Sequence, residues 1–333
     1  MDVMQFTQAL SRIWVLETRL LDKTKVERML EANSADEVLK ILGETEYANI
    51  MGNIKRAADY EEILSTELKR VYKLVYELCP VKEIVDLMST KYKYHNIKVL
   101  LKGKFLEKDL SNMLIDLGRE DLNELKRKID TDNFRDLKGN VEKAVLEVIS
   151  DFEANKDPQK IDIIVDRYMF KELDEIKKSL NYKFTDKLVN AMIDSTNVRT
   201  LLRVKKQGKG REFASEVLVT GGAISKDTLV AIINETPENI ISKLSTSIYS
   251  DLIKEGVESY IATNSANLLE KLSDNYIMDV MKSGKLVTFG PERILSYIYA
   301  KETEIKIIRI IMVGKLNNIT EEVIRERLRD IYV

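Results

Sequence analysis

Few residues in this chain have types and spacings that could do chemistry. His95 is the only histidine and Cys79 the only cysteine. A zinc site of the His-x-x-x-His kind needs two histidines, and a helical di-iron site needs two Glu-x-x-His pairs, so neither can be built. A cysteine nucleophile needs a basic partner in space; Cys79, between Leu78 and Pro80, reads as structural. One cysteine also rules out a disulfide within the chain, which suits a reducing compartment. Gly-Lys pairs occur at Gly103-Lys104, Gly284-Lys285 and Gly314-Lys315, followed by Phe, Leu and Leu. None has the hydroxyl residue that a phosphate-binding loop uses on magnesium, nor the earlier glycine at the required spacing. Gly208-Lys209-Gly210 lacks the third glycine of a dinucleotide fingerprint, and Gly221-Gly222 reads as a bend between helices. No cofactor is expected. Trp14, the only tryptophan, reads as a core or interface anchor.

The elements that would position these residues are helical. Gly (13) and Pro (4) are scarce in 333 residues, so turns and helix breakers are few. Ile294, Ile298, Ile305, Ile308 and Met312 recur at steps of four, seven, three and four, which predicts one buried stripe on one long helix. Pro291 fits its first position and Gly314 its stop. In the tail, Thr320 reads as a cap, Glu321 and Glu322 as a first turn, and Arg325, Arg327 and Arg329 as the far end. Asn155–Pro158 and Glu235–Pro237 read as turns. Leu218–Thr220 and Leu286–Phe289 are the only strand candidates. No basic start followed by an apolar run marks a signal peptide, and no apolar run is long enough to span a bilayer. Lys+Arg number 53 and Asp+Glu 55, a balance that gives no electrostatic case for nucleic acid. The basic stretch Arg203–Arg211 has two readings: contact with an acidic partner or lipid head groups, or a solvated helix end and loop.

The chain also repeats itself. Asn96-Ile-Lys-Val-Leu-Leu-Lys102 matches Asn197-Val-Arg-Thr-Leu-Leu-Arg203, and Glu304-Ile-Lys-Ile-Ile-Arg309 is a weaker third copy. At His95 the second copy has Thr196, so His95 reads as an ordinary helix-contact residue. A second marker keeps step: Asp166-Arg-Tyr168 precedes Asn197 much as Asp274-Asn-Tyr276 precedes Glu304. A period of roughly a hundred residues is too long for the common helical solenoids. It predicts three similar helical bundles, over 1–118, 119–222 and 223–333, with the N-terminal helix free to pack elsewhere.

Several stretches in order resemble the C-subunit family of the archaeal-type ATPase, the counterpart of the vacuolar ATPase d-subunit. They are Arg12–Leu21; the Asn96 and Asn197 helices, with Ile193-Asp-Ser-Thr-Asn-Val-Arg199; Phe289–Glu292; Tyr297–Lys306 with Arg309; Gly314–Asn317; and Ile324–Val333. Glu304 departs from the Asn pattern, so no Asn role is carried to it. The resemblance implies an all-α funnel of three similar helical-bundle domains about a pseudo-threefold axis, a central-stalk rotor part without an active site. Its implied partners are the central-shaft subunits (D and F type) and the membrane ring of proteolipid subunits, with proton or sodium transport linked to ATP hydrolysis or synthesis. Its implied place is peripheral, on the cytoplasmic face of the membrane, monomeric when isolated. Lys98, Arg199, Arg203, Lys306 and Arg309 are the interface candidates: either some face the shaft, or they form salt bridges within their domains or meet solvent. The alternative is an all-helical adapter of another assembly. An enzyme would need a constellation that the sequence does not offer.

Overall fold

A computed structural model of the chain describes residues 2–53, 56–118 and 120–333; the boundary expected at 118/119 abuts a residue outside them. Every regular element among the described residues is helical. By contacts the chain divides into two compact units, one of Met1–Met88, Leu117–Arg119 and Asp274–Val333, the other of Ser89–Asp116 and Glu120–Ser273.

Three long helices carry the three copies of the repeat: Lys82–Leu106, Lys183–Lys206 and Glu292–Leu316. Each is preceded by another long helix, Tyr60–Leu78, Pro158–Leu180 and Asn267–Ser283. Local chemistry sets several boundaries. Asp157 caps the helix that opens with Pro158, and Thr236 caps the one that opens with Pro237, so both expected turns are present.

The repeated asparagine has a specific task. Asn96 Nδ2 donates to the Ile115 carbonyl (2.8 Å), and its Oδ1 accepts from the Ile115 N–H (2.8 Å). Asn197 does the same to Val219, at 2.8 and 2.9 Å. In each case a side-chain amide takes the place of a neighbouring strand and satisfies an extended piece of backbone, here termed a strap. This explains why Leu218–Thr220 is extended but forms no strand: both polar groups of Val219 are taken by Asn197. Val287 is extended too, but its N–H returns to Gly284 in a turn. Neither strand candidate survives.

The third copy uses a carboxylate. Glu304 Oε2 accepts from the Leu21 N–H (2.6 Å), so its strap comes from near the other end of the chain. A short helix follows each strap: Leu122–Asp130 after Ile115, Lys226–Ile232 after Val219, and Lys23–Glu31 after Leu21. A lysine near the end of each long helix reaches carbonyls at the end of that short helix. Lys104 donates to Ile129 (2.9 Å), Lys205 to the carbonyls of Ile233 and Glu235, and Lys315 to that of Leu30. Lysine there favours the negative helix end. Two of the Gly-Lys pairs thus acquire a structural reading. A Cβ at Gly103 would lie 2.9 Å from the Lys108 carbonyl, and one at Gly314 would lie 2.4 Å from Ile324 Cδ1.

Gly314 is therefore not a stop. The helix continues to Leu316, and the glycine admits Ile324 of Glu321–Glu326. Pro291 sits one residue ahead of the helix rather than inside it. The tail helix also ends sooner than expected, at Glu326, and Arg329 instead pairs with Asp274 at 2.8 Å. The expected stripe of Ile294, Ile298, Ile305, Ile308 and Met312 is buried throughout, but so are Leu295, Tyr297, Lys301 and Ile307 on other faces. Helices Thr7–Glu17, Ala35–Leu42 and Tyr60–Leu78 pack against this helix, making it the axis of its unit.

Asn197→Ala is expected to cost about 2–4 kcal/mol, because it strands both polar groups of Val219. Gly314→Ala is expected to cost about 1–3 kcal/mol through overpacking against Ile324. Denaturant midpoints at unchanged slope measure both; wild-type midpoints would remove the strap and close-approach roles.

Candidate functional site

The axial helix Glu292–Leu316 carries charge where a buried helix normally carries none. Lys301 has no exposed surface, and Glu67, on Tyr60–Leu78, has none either. Their separation is 3.0 Å, and Lys301 also meets Glu304 at 2.8 Å, one turn along its own helix. Arg70 holds Glu67 at 2.7 Å and Glu46 at 3.3 Å, and Arg19 holds Glu46 from the outside at 2.9 Å. The Tyr47 hydroxyl donates to Glu304 at 2.8 Å, and Lys301 lies over the Tyr47 ring. Three cations are thus interleaved with three carboxylates, on segments of one unit.

The electrostatics follow from this packing. Burial would lower the Lys301 ammonium pKa, but Glu304 and Glu67 outweigh it and hold it raised. Burial alone would raise Glu67, yet its hydrogen bonds to Arg70 and the Lys301 charge leave its pKa lowered. A second anchor joins the chain's two ends: Glu17, nearly buried, accepts from Arg293 (2.6 Å) and from the Tyr332 hydroxyl (2.9 Å). In the other unit Asp194 is fully buried and accepts from the Ala223 and Ile224 N–H groups at 2.8 and 3.1 Å. Burial raises its pKa despite those bonds. Gly222 is required there, since a Cβ would lie 2.1 Å from Asp194 Oδ1. The bend at Gly221-Gly222 is thus the seat of a second clamp beside Asn197.

The five interface candidates are not brought together. Lys98 pairs with Asp166 at 2.8 Å, and Lys306 pairs with Asp274. Arg203 meets Glu270 at 2.5 Å, and Arg309 grips Glu61 through two bonds of 2.6 and 3.0 Å. Arg199 folds back onto its own helix, toward the Ser195 carbonyl and the Thr196 hydroxyl, and has no acidic partner among the described residues. Much of the basic stretch Arg203–Arg211 also turns inward: Lys205, Lys206 and Arg211 donate to backbone carbonyls of Glu235, Asn264 and Ala231.

The remaining reactive types have ordinary surroundings. The Cys79 thiol is buried, donates to the Val81 carbonyl at 3.1 Å and has a pKa pushed up to about 11 by burial, which makes it inert at neutral pH. His95 Nε2 lies 3.0 Å from the Met113 carbonyl. Trp14 is 45% exposed beneath Arg293, so it is not a core residue. Among the described residues no acidic, histidine or cysteine cluster could hold a metal, and no helix is long and apolar enough to cross a membrane. Sequence reasoning missed Lys301, Glu67, Glu17 and Asp194. The available signal for the first was the Lys301-x-x-Glu304 spacing between Ile298 and Ile305 of the apolar stripe.

Lys301→Met is expected to destabilise the protein by about 3–5 kcal/mol, because it leaves buried carboxylates without their cation; a change under about 1 kcal/mol in denaturant titration would contradict this. The pH dependence follows from Glu67 and from Asp274, whose pKa is lowered against burial by Lys306 and Arg329. Groups with lowered folded pKa stabilise above their unfolded values of about 4, and that stability is lost as pH falls through the folded values. Glu67→Gln is expected to flatten the acid limb of a stability-against-pH curve.

Sequence comparison places this architecture among known proteins. The family model for the ATP synthase (C/AC39) subunit matches residues 9–327. The C-subunit of the V-type sodium ATPase of Enterococcus hirae is 31% identical over 318 residues, covering 95% of each chain. The C-subunit of the A-type ATP synthase of Methanocaldococcus jannaschii is 25% identical, covering 98% of this chain and 87% of the relative. That of Pyrococcus furiosus is 22% identical, covering 96% and 88%. Several of the buried polar residues fall within the stretches that carry the resemblance: Glu17 in the opening helix, Asp194 and Asn197 in the second repeat, Lys301 and Glu304 near the end. A match along almost the whole length, to a family model and to relatives of the same extent, shows that this chain belongs to the ATP synthase (C/AC39) subunit family.

Proposed function

We propose that this chain is the non-catalytic central-stalk component of a rotary ATPase, coupling the shaft to the membrane ring. The observation that carries this reading is a docking scheme that recurs three times. Each long helix holds a strap through Asn96, Asn197 or Glu304, and reaches the following short helix through Lys104, Lys205 or Lys315. Ion pairs recur in the same order: Lys102 with Asp162, Arg203 with Glu270, and Arg309 with Glu61. The third member of each set links segments far apart in the chain. Such repetition supports three similar bundles, with the N-terminal segment completing the third.

A part that passes torque between two couplings must resist shear. Long helices joined by buried hydrogen bonds and ion pairs do so better than loops. In this reading the partners are the central-shaft subunits and the proteolipid ring, and the chain sits peripherally on the cytoplasmic face of the membrane, without an active site of its own. Arg199 is the first interface candidate to test, since the other four already hold acidic partners.

Affinity purification of the tagged chain from mildly detergent-solubilised membranes is expected to recover the ATPase head, shaft and ring. Recovery of unrelated partners alone would favour an adapter of another assembly. Arg199→Glu is expected to weaken shaft binding about tenfold, roughly 1.4 kcal/mol, with an unchanged denaturation midpoint; unaltered affinity removes Arg199 from the interface.

A further inference from the structure

We propose that the Leu21 strap and the Lys23–Glu31 helix form a releasable closure, whereas the two asparagine-held straps are built to stay shut. The three junctions share one plan but differ in what release leaves behind. Asn96 and Asn197 each clamp both the N–H and the carbonyl of one residue, so opening either leaves an amide and a peptide group to be satisfied anew. Glu304 holds only the Leu21 N–H. When that bond parts, the carboxylate keeps Lys301 at 2.8 Å and the Tyr47 hydroxyl at 2.8 Å, so no buried charge is left alone.

The rest of this junction points the same way. A small, largely apolar cavity lined by Leu20, Leu21, Val26, Ala300, Glu304 and Tyr332 lies beneath the strap, so its packing there is incomplete. The outer ties, Arg325 to Glu27 and Arg28 to Glu44, join side chains that are 33–56% exposed, and water competes for both. The helix before the strap, Thr7–Glu17, has an anchor of its own, Glu17 to Arg293 and Tyr332. Segment 21–31 can therefore lift while the helix nearer the terminus stays in place. The outcome is one yielding junction in a chain whose other two are locked.

Hydrogen exchange on the full-length chain, resolved to single amides, tests this. Leu21 and the amides of Lys23–Glu31 are expected to exchange together, at least about tenfold faster than Ile115 and Val219 and faster than the inner amides of Thr7–Glu17. Lys315→Ala is expected to raise the rates in 21–31 further and leave Ile115 and Val219 unchanged. Equal protection of the three straps would overturn the proposal. So would rates that rise smoothly toward the N-terminus, which mean simple fraying, or a Lys315→Ala effect spread over all three straps.

Discussion

A lysine with no exposed surface cannot enter a protein core without its counter-charges. Lys301 meets this constraint with Glu67 and Glu304, and the arrangement of its unit follows from the need to deliver them. Glu304 comes from the same helix, but Glu67 must come from Tyr60–Leu78, which fixes that helix against Glu292–Leu316. Glu46 and Tyr47 bring the Glu46–Asn53 segment to the same place, and Leu21 brings the strap. Apolar packing alone would tolerate sliding between helices. The ion pairs among Arg70, Glu67, Lys301 and Glu304, at 2.7–3.0 Å, do not, because each displaced partner leaves a buried charge uncompensated.

The other unit solves a related problem chiefly with side-chain amides. Its straps are extended backbone lying against helices, where no strand can pair with them. An asparagine on the helix supplies one donor and one acceptor at the spacing of a peptide group, which is what a strap residue needs. Asp194 adds acceptors for two further N–H groups, and Gly222 leaves room for its carboxylate. The lysine that follows within each long helix binds the end of the next short helix. One helix, Lys183–Lys206, thus fixes three things: a strap, a bend and a helix end.

Where the third repeat departs from asparagine, the chain also departs from covalent order. The straps of Asn96 and Asn197 arrive 19 and 22 residues later in the same direction, while that of Glu304 lies 283 residues away. A carboxylate suits this junction because Lys301 is already there to neutralise it. An amide at the same place would leave Lys301 with less opposing charge.

The all-helical class was legible in the amino-acid sequence, since scarce glycine and proline and apolar spacing of three and four depend only on local geometry. The repeat was legible too, because a helix that must hold a strap keeps its asparagine, its basic positions and its paired leucines wherever it recurs. So were the turns at Asp157 and Thr236, whose capping bonds stay within one turn. What those repeated residues touch was not legible. The extended Leu218–Thr220 read as a strand because its partner is a side chain 22 residues away rather than another strand. Gly314 read as a stop because nothing local signals the approach of Ile324. Lys98, Arg203, Lys306 and Arg309 read equally as interface or internal ion pairs, since charge alone does not say which carboxylate lies opposite. Helical periodicity reports which face is apolar. Only the tertiary structure decides what covers that face, and so whether a lysine within it, as at Lys301, is surrounded by carboxylates or by water.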